Sequence, residues 1–398
     1  MFHQPVKPLT TIKIISMNQM RPIAIYLPQF HPIRENDEWW GKGFTEWRNV
    51  IKGKPRFKGH YQPQLPADLG YYDLRLPETR QAQADLAKQY GIHGFCYYHY
   101  WFNGKRILER PFQEVFESGS PDFPFMLCWA NENWTRIWDG GENSVLLKQD
   151  YSFEDDAKHI NALIPYFKDK RYIKVNGKPV FAIYKDALFP NINRTIEIFK
   201  EECAKHGLEL YICKFERDID SAAGDPIDLG FDASIEFQPL SKSRREFIDI
   251  EQKKFSNRYL RISKYVTFIK KRLLRQNIEV DKITDLEKFV EYDIQRPRPP
   301  YKIFPGVSPS WDNSSRRPGK RANIFINSSP KVFQKWVRNK VSKFPSYSKE
   351  ENFLFVNAWN EWAEGNHLEP CERYGHQYLQ ALKDGIIEGS SDRSGLTP

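Results

Sequence analysis

The sequence predicts a single (β/α)8 barrel. Three observations carry that expectation. Eight short runs of apolar, β-branched or aromatic residues recur along the chain. Longer helical patterns lie between most of them, which is the alternation of a parallel sheet. The chemically distinctive residues follow the runs rather than precede them, as expected where strands deliver side chains to one mouth of a barrel.

The predicted strands are Pro22–Leu27, Gly94–Tyr100, Phe125–Trp129, Val180–Tyr184, Leu208–Lys214, Ala233–Phe237, Ile303–Val307 and Phe353–Ala358. Helical periodicity covers Leu76–Tyr90, Phe153–Tyr166, Arg194–Lys205, Pro330–Val341 and Arg373–Ile387. A doubly wound open sheet is the alternative, but no GxGxxG or Walker-type loop supports it. A chain of 398 residues suits one barrel with insertions. Residues 1–20 read as an N-terminal tail, 21–387 as the barrel, with an insertion at about 240–300, and 388–398 (EGSSDRSGLTP) as a small, polar, disordered tail.

Five cysteines, an odd number with no CxxC pair, suggest neither a disulfide framework nor a zinc site. No leader-like apolar stretch opens the chain, and no run approaches a membrane span. The expectation is a cytoplasmic protein without a cofactor or metal. Residues 241–277 hold twelve Lys/Arg against three Asp/Glu, which equals the whole net charge of +9. Within that stretch Phe255, Tyr259, Ile262, Val266, Ile269 and Leu273 recur at helical spacing, opposite basic faces. Residues 253–275 therefore read as a basic amphipathic helix. Either it covers the barrel with a solvated charged face or it touches an anionic membrane at the inner face. No nucleic-acid motif accompanies the charge.

Ten of the eleven tryptophans follow predicted strands, mixed with Asn, Asp, Glu and His; only Trp336 sits on a predicted helix. Indole faces cover the C–H face of a sugar ring while carboxylates and amides bind its hydroxyls, so the mixture fits a carbohydrate site. Glycosidic chemistry needs two carboxyl groups, one to protonate the departing oxygen and one to act as base or nucleophile. Glu361 and Glu364, three apart after the last strand, share one face if that segment turns helically. Two acids so close should have one pKa raised. The candidate substrate-binding residues are Tyr26, Gln29, His31, Tyr98, His99, Trp129, Asn131, Glu132, Trp134, Glu236, Trp311, Asp312, Trp359 and Asn360. His60 and Glu369 are weaker candidates. Asp218-Ile219-Asp220 has the form of a nucleotide-sugar metal pair, a spacing that also arises readily by chance.

AIYLPQFHP, WWGKGFTEW, GHYQPQLPADLGYYDL, PFMLCWANENWTRIWDG and NAWNEWAEGNHLEP resemble the WbsX-type family over roughly residues 21–385. That resemblance implies a role in bacterial O-antigen or capsule assembly, with members often labelled glycosyltransferases. More distantly, NEWAEGNHLEP resembles the Asn-Glu-Trp-x-Glu-Gly signature of glycoside hydrolase family 99, the endo-α-mannosidases and mannanases. This second resemblance implies retaining chemistry on a (β/α)8 barrel. Glu361 is then the base that deprotonates a sugar 2-hydroxyl, and Glu364 the acid on the leaving group. The expected partner is an oligo- or polysaccharide, free or lipid-linked. A nucleotide-sugar-dependent transferase and a non-catalytic glycan-binding barrel are the alternative readings.

Overall fold

The computed structural model describes residues 20–136, 141–217, 224–254, 281–345 and 347–394. Eight parallel strands form its centre: β1 (Arg21–Tyr26), β2 (Gly94–Phe102), β3 (Phe125–Trp129), β4 (Lys178–Ile183), β5 (Tyr211–Glu216), β6 (Ala233–Glu236), β7 (Ile303–Phe304 and Gly306–Val307) and β8 (Phe353–Val356). Every residue of β2, β3, β5 and β8 is buried, the near-continuous apolar pattern of strands covered on both faces.

Closure of the ring depends on β7. Ile303–Phe304 pairs with β6 at one end of the sheet. Gly306–Val307 pairs with β8 at the other. The two ends of the sheet are thus halves of one strand, interrupted at Pro305, and the barrel closes through it. Gly306 is required there: a Cβ would lie 2.0 Å from the Glu236 carbonyl oxygen.

Helices α1 (Pro77–Gln89), α2 (Arg110–Ser118), α3 (Phe153–Lys168) and α4 (Ile192–Lys205) follow β1 to β4 in turn. Among the described residues between β5 and β6, a 3-10 turn forms at Pro226–Leu229. α5 (Lys242–Lys254) and α6 (Leu286–Asp293) belong to the insertion before β7, α7 (Pro330–Ser342) precedes β8, and α8 (Gln377–Ser394) ends the described chain. The starts are written locally. The Ser152 hydroxyl caps α3 on the Asp155 N–H at 3.1 Å, and Ser329 caps α7 ahead of Pro330. α2 was not among the expected helices, yet it carries Pro111 in its first turn and a left-handed Gly119 after its last.

One expectation is corrected. Residues 388–394 are not a disordered tail but the end of α8. A Cβ at Gly385 would meet Val337 at 2.9 Å, and one at Gly389 would meet the Arg338 carbonyl at 2.5 Å. The small residues let α8 approach α7. Gln334 donates to Glu388 at 2.8 Å and Arg338 pairs with Asp392 at 2.7 Å along the same seam. Of the basic segment 253–275, only Lys253 and Lys254 fall on described backbone; the remainder lies outside the described residues, as do Asp218–Asp220. Among the described residues no helix is long and apolar enough to cross a membrane.

Candidate active site

At the end of β8 the chain leaves the barrel through Trp359 and forms a two-residue antiparallel pairing, Asn360–Glu361 with Asn366–His367. A 3-10 turn, Trp362–Glu364, lies between them, closed by Gly365 at φ +58°. Asn360 fixes this loop to the end of β1. Its Oδ1 accepts the Leu27 N–H at 2.7 Å and its Nδ2 donates to the Leu27 carbonyl at 3.0 Å. Trp362 is held by the buried Glu369 carboxylate, which also accepts from Tyr72 (2.8 Å) and Gln83 (2.7 Å). Burial pushes Glu369 up to about 7 despite those donors.

Anchored this way, Glu361 and Glu364 both reach the guanidinium of Arg316. Arg316 Nη2 lies 2.7 Å from Glu361 Oε2, Nη1 lies 2.5 Å from Glu364 Oε1, and Nε lies 2.6 Å from Oε1 of a third acid, Glu46. Three carboxylates share one cation in a largely buried setting. One positive charge cannot neutralise all three, so the arrangement favours retention of a proton. Burial pushes Glu364 up to about 8; Arg316 pulls the other way, and the nearby Glu361 and Glu46 push it higher. Glu46 is also raised, chiefly by burial, and Arg316 is held firmly charged by its acids.

Glu361, Glu364 and Arg316 line a cavity of about 320 Å³ at the C-terminal end of the barrel. Its walls are aromatic: Tyr98, Tyr100, Trp134, Tyr184, Phe237 and Trp311. Tyr100 meets Trp134 edge-on at 5.1 Å, and Tyr184 meets Phe237 edge-on at 5.3 Å. The Arg217 guanidinium lies 4.4 Å over Tyr184. Glu132 reaches the cavity paired with Lys185 at 2.7 Å. Aromatic faces with a few convergent charged groups form the usual composition of a small-molecule site.

Of the residues singled out from the sequence, Tyr98, Glu132, Trp134, Trp311, Glu361 and Glu364 line this cavity. The others do not. Tyr26 donates to Gln83 of α1 at 2.7 Å. Gln29 is buried, its carbonyl holding the Glu46 N–H at 3.0 Å. His31 is buried and pushed down to about 4. His99 faces His159 of α3 at 3.0 Å and is pushed down to about 3 by burial, so both stay neutral. Trp129 packs on His159, with ring centres 4.3 Å apart. Asn131 bonds the Lys185 backbone in both directions at 2.8 Å. Trp359 lies against Phe95. Asn360 is the clamp on Leu27. Glu236 belongs to a separate cluster with Lys340 and Asp293. Asp312 accepts from His60 and Gln62 on the far side of the cavity wall. Arg316, Glu46, Tyr100, Tyr184 and Arg217 were not anticipated. Glu46 stood in a quoted motif, and Arg316 had no sequence signal beyond its polar loop.

The model of the WbsX glycosyltransferase family matches residues 22–382. The chain belongs to that family. Two relatives, each described as an uncharacterised protein WxcX, from two strains of Xanthomonas campestris pv. campestris, are 40% identical over 372 residues, which is 92% of this chain. The chain spans about half (49%) of the length of these relatives. Among solved structures, a glycoside hydrolase-like protein aligns with a TM-score of 0.54 at 16% identity, over 96% of this chain and 97% of its own. The family 99 endo-α-mannosidase of Bacteroides thetaiotaomicron aligns with a TM-score of 0.53 at 12% identity, over 94% and 98%. At such identities the likeness is one of fold, and it agrees with the closed (β/α)8 ring.

Proposed function

We propose that this protein cleaves or transfers a glycosyl unit of a bacterial surface polysaccharide or its lipid-linked precursor. We propose Glu361 as base and Glu364 as acid. The observation that carries the reading is the convergence of these two carboxyl groups on Arg316 at the wall of an aromatic cavity, with Glu364 pushed up to about 8. A carboxyl group still protonated at neutral pH suits a general acid.

The reaction that fits best is retaining and needs no enzyme nucleophile. Glu361 takes the proton of the sugar 2-hydroxyl. O2 attacks C1 and forms a 1,2-anhydro sugar as the C1–O bond breaks, and Glu364 gives its proton to the departing oxygen. An incoming hydroxyl, from water or a second sugar, then attacks C1 and gives its proton to Glu364 as the C1–O2 bond breaks, and O2 takes a proton back from Glu361. An α-mannoside suits this path because its O2 and leaving oxygen are trans-diaxial. Aromatic walls hold the ring, and Arg316 keeps both carboxyl groups in place.

The test is incubation of the protein with α-mannoside oligosaccharides and with the host's lipid-linked glycan, with and without nucleotide sugars. Product without a nucleotide sugar is the expected result. Strict dependence on a nucleotide sugar would replace this reading with a sugar-nucleotide transferase. Glycan binding with no turnover under any condition would make the barrel a binding module.

A further inference from the structure

A second, larger cavity of about 480 Å³ lies beside the first. The segment Ser310–Asn313 after β7 divides them. Ser310 and Asp312 line the second cavity, whereas Trp311 and Asn313 line the first, the alternation of an extended chain. The other part of the divider is Glu364-Gly365: Glu364 faces the first cavity and Gly365 the second. The Asp312 N–H donates to the Glu364 carbonyl at 2.5 Å. A Cβ at Gly365 would meet Gln64 Nε2 at 2.8 Å and Asp312 Cβ at 3.1 Å, so a larger residue would have to displace Gln64 and crowd Asp312.

The segment Gly59-His60-Tyr61-Gln62-Pro63-Gln64, which the acid pair leaves unused, builds this second cavity. His60 is fixed by Asp312 at 2.7 Å and stacks on Phe57 at 4.6 Å, with the rings 11° from parallel. Gln64 is fixed by His367 at 2.8 Å, and His367 stacks in turn on Trp362 of the active-site turn at 3.7 Å. At the rim the exposed Arg373 guanidinium lies 4.7 Å from the Tyr61 ring and 4.9 Å from that of Tyr374. Rigid aromatic faces interleaved with hydroxyl, amide and imidazole groups are suited to a ring that is apolar on its faces and hydroxylated at its edge. The volume falls within the roughly 300–1,000 Å³ of small-molecule pockets. Among the described residues no group of acids, histidines and cysteines is arranged to hold a metal ion.

We propose that this cavity is a second carbohydrate-binding site, for one or two neutral hexose units of a glycan segment that is not itself cleaved. The proposal rests on the carbohydrate reading of the active site. Because Gly365 and Asp312 touch Glu364, occupancy of the second cavity would be felt at the acid.

The test is photo-crosslinking with diazirine-tagged α-mannotriose and maltotriose, the labelled peptides being mapped by mass spectrometry. Two sets of labelled peptides are expected: one from residues 98–136 and 311–317, the other from residues 54–65 and 371–378. Ser328→Trp, which fills the second cavity, and Tyr61→Ala should weaken the second set by up to about tenfold and leave the first unchanged. Arg373→Ala, at an exposed position, repeats the test without a demand on folding. Labelling of the first set alone overturns the second site and leaves the active-site reading intact. Labelling of the second set that all three variants leave unchanged also overturns it. No labelling of either set overturns both.

Discussion

Two buried clusters in this protein gather acids around a central cation, and they behave differently. At the mouth of the barrel Arg316 serves Glu46, Glu361 and Glu364. Behind β6, Lys340 serves Glu236 and Asp293, at 2.7 and 2.8 Å, and a second cation, Arg296, lies 3.8 Å from Asp293. The second pair has ample donors: Asp293 accepts the Trp336 indole N–H at 2.8 Å, and Glu236 accepts from Gln238 and from the Gly306 N–H. Asp293 is held below its usual range by Lys340 and these donors against the cost of burial, while burial raises Glu236. That cluster borders a space of about 80 Å³, against about 320 Å³ beside Arg316. A buried acid near a cation is thus no sign of chemistry by itself. An excess of acids over cations, opening on room for a ligand, is the stronger mark.

The comparison can be broken in four ways. The largest effect is on rate: Glu361→Gln and Glu364→Gln should each lose at least about 10²-fold in turnover while folding normally. Near wild-type turnover in both would remove the mouth cluster from the chemistry. Next comes stability. Lys340→Met leaves Glu236 and Asp293 facing each other without their nearest cation, which should cost about 3–5 kcal/mol in urea unfolding. The rate per folded molecule should be unchanged, and a stability loss below about 1 kcal/mol would show the second cluster to be unnecessary to the fold.

The third is pH. The acid must carry its proton, so turnover should fall as pH rises through about 8, and the midpoint of that limb should report Glu364. A limb that persists in the residual activity of Glu364→Gln would assign it to another group. The fourth and smallest effect is a displacement of that limb. Glu46→Gln removes a negative charge that raises Glu364, so the midpoint should move to lower pH. A shift upward, or none, would mean that Glu46 is not coupled to the acid.

Much of this was legible before the fold was known. The eight strand runs were visible because parallel strands buried on both faces are apolar throughout. The acid pair was visible because its members are three residues apart and one turn brings them together. Glu46 and Arg316 were not visible as partners: they are 270 positions apart, and no local pattern links them. The end of α8 was misread because glycine and serine signal disorder as readily as they signal a close helix crossing.

The sequence by itself determined the order of strands and helices, the aromatic richness of the strand ends and the two carboxyl groups after the last strand. Only the tertiary structure decided which of those rich residues face the cavity. In β2, Tyr98 and Tyr100 point into it, whereas His99 meets His159 and Trp101 donates to Asp155, both on α3. Successive side chains of a strand point to opposite faces, and a one-residue change of register exchanges them. That register is set by pairing with β1 and β3, so the run Tyr97-Tyr98-His99-Tyr100-Trp101 does not state which of its members will meet a ligand.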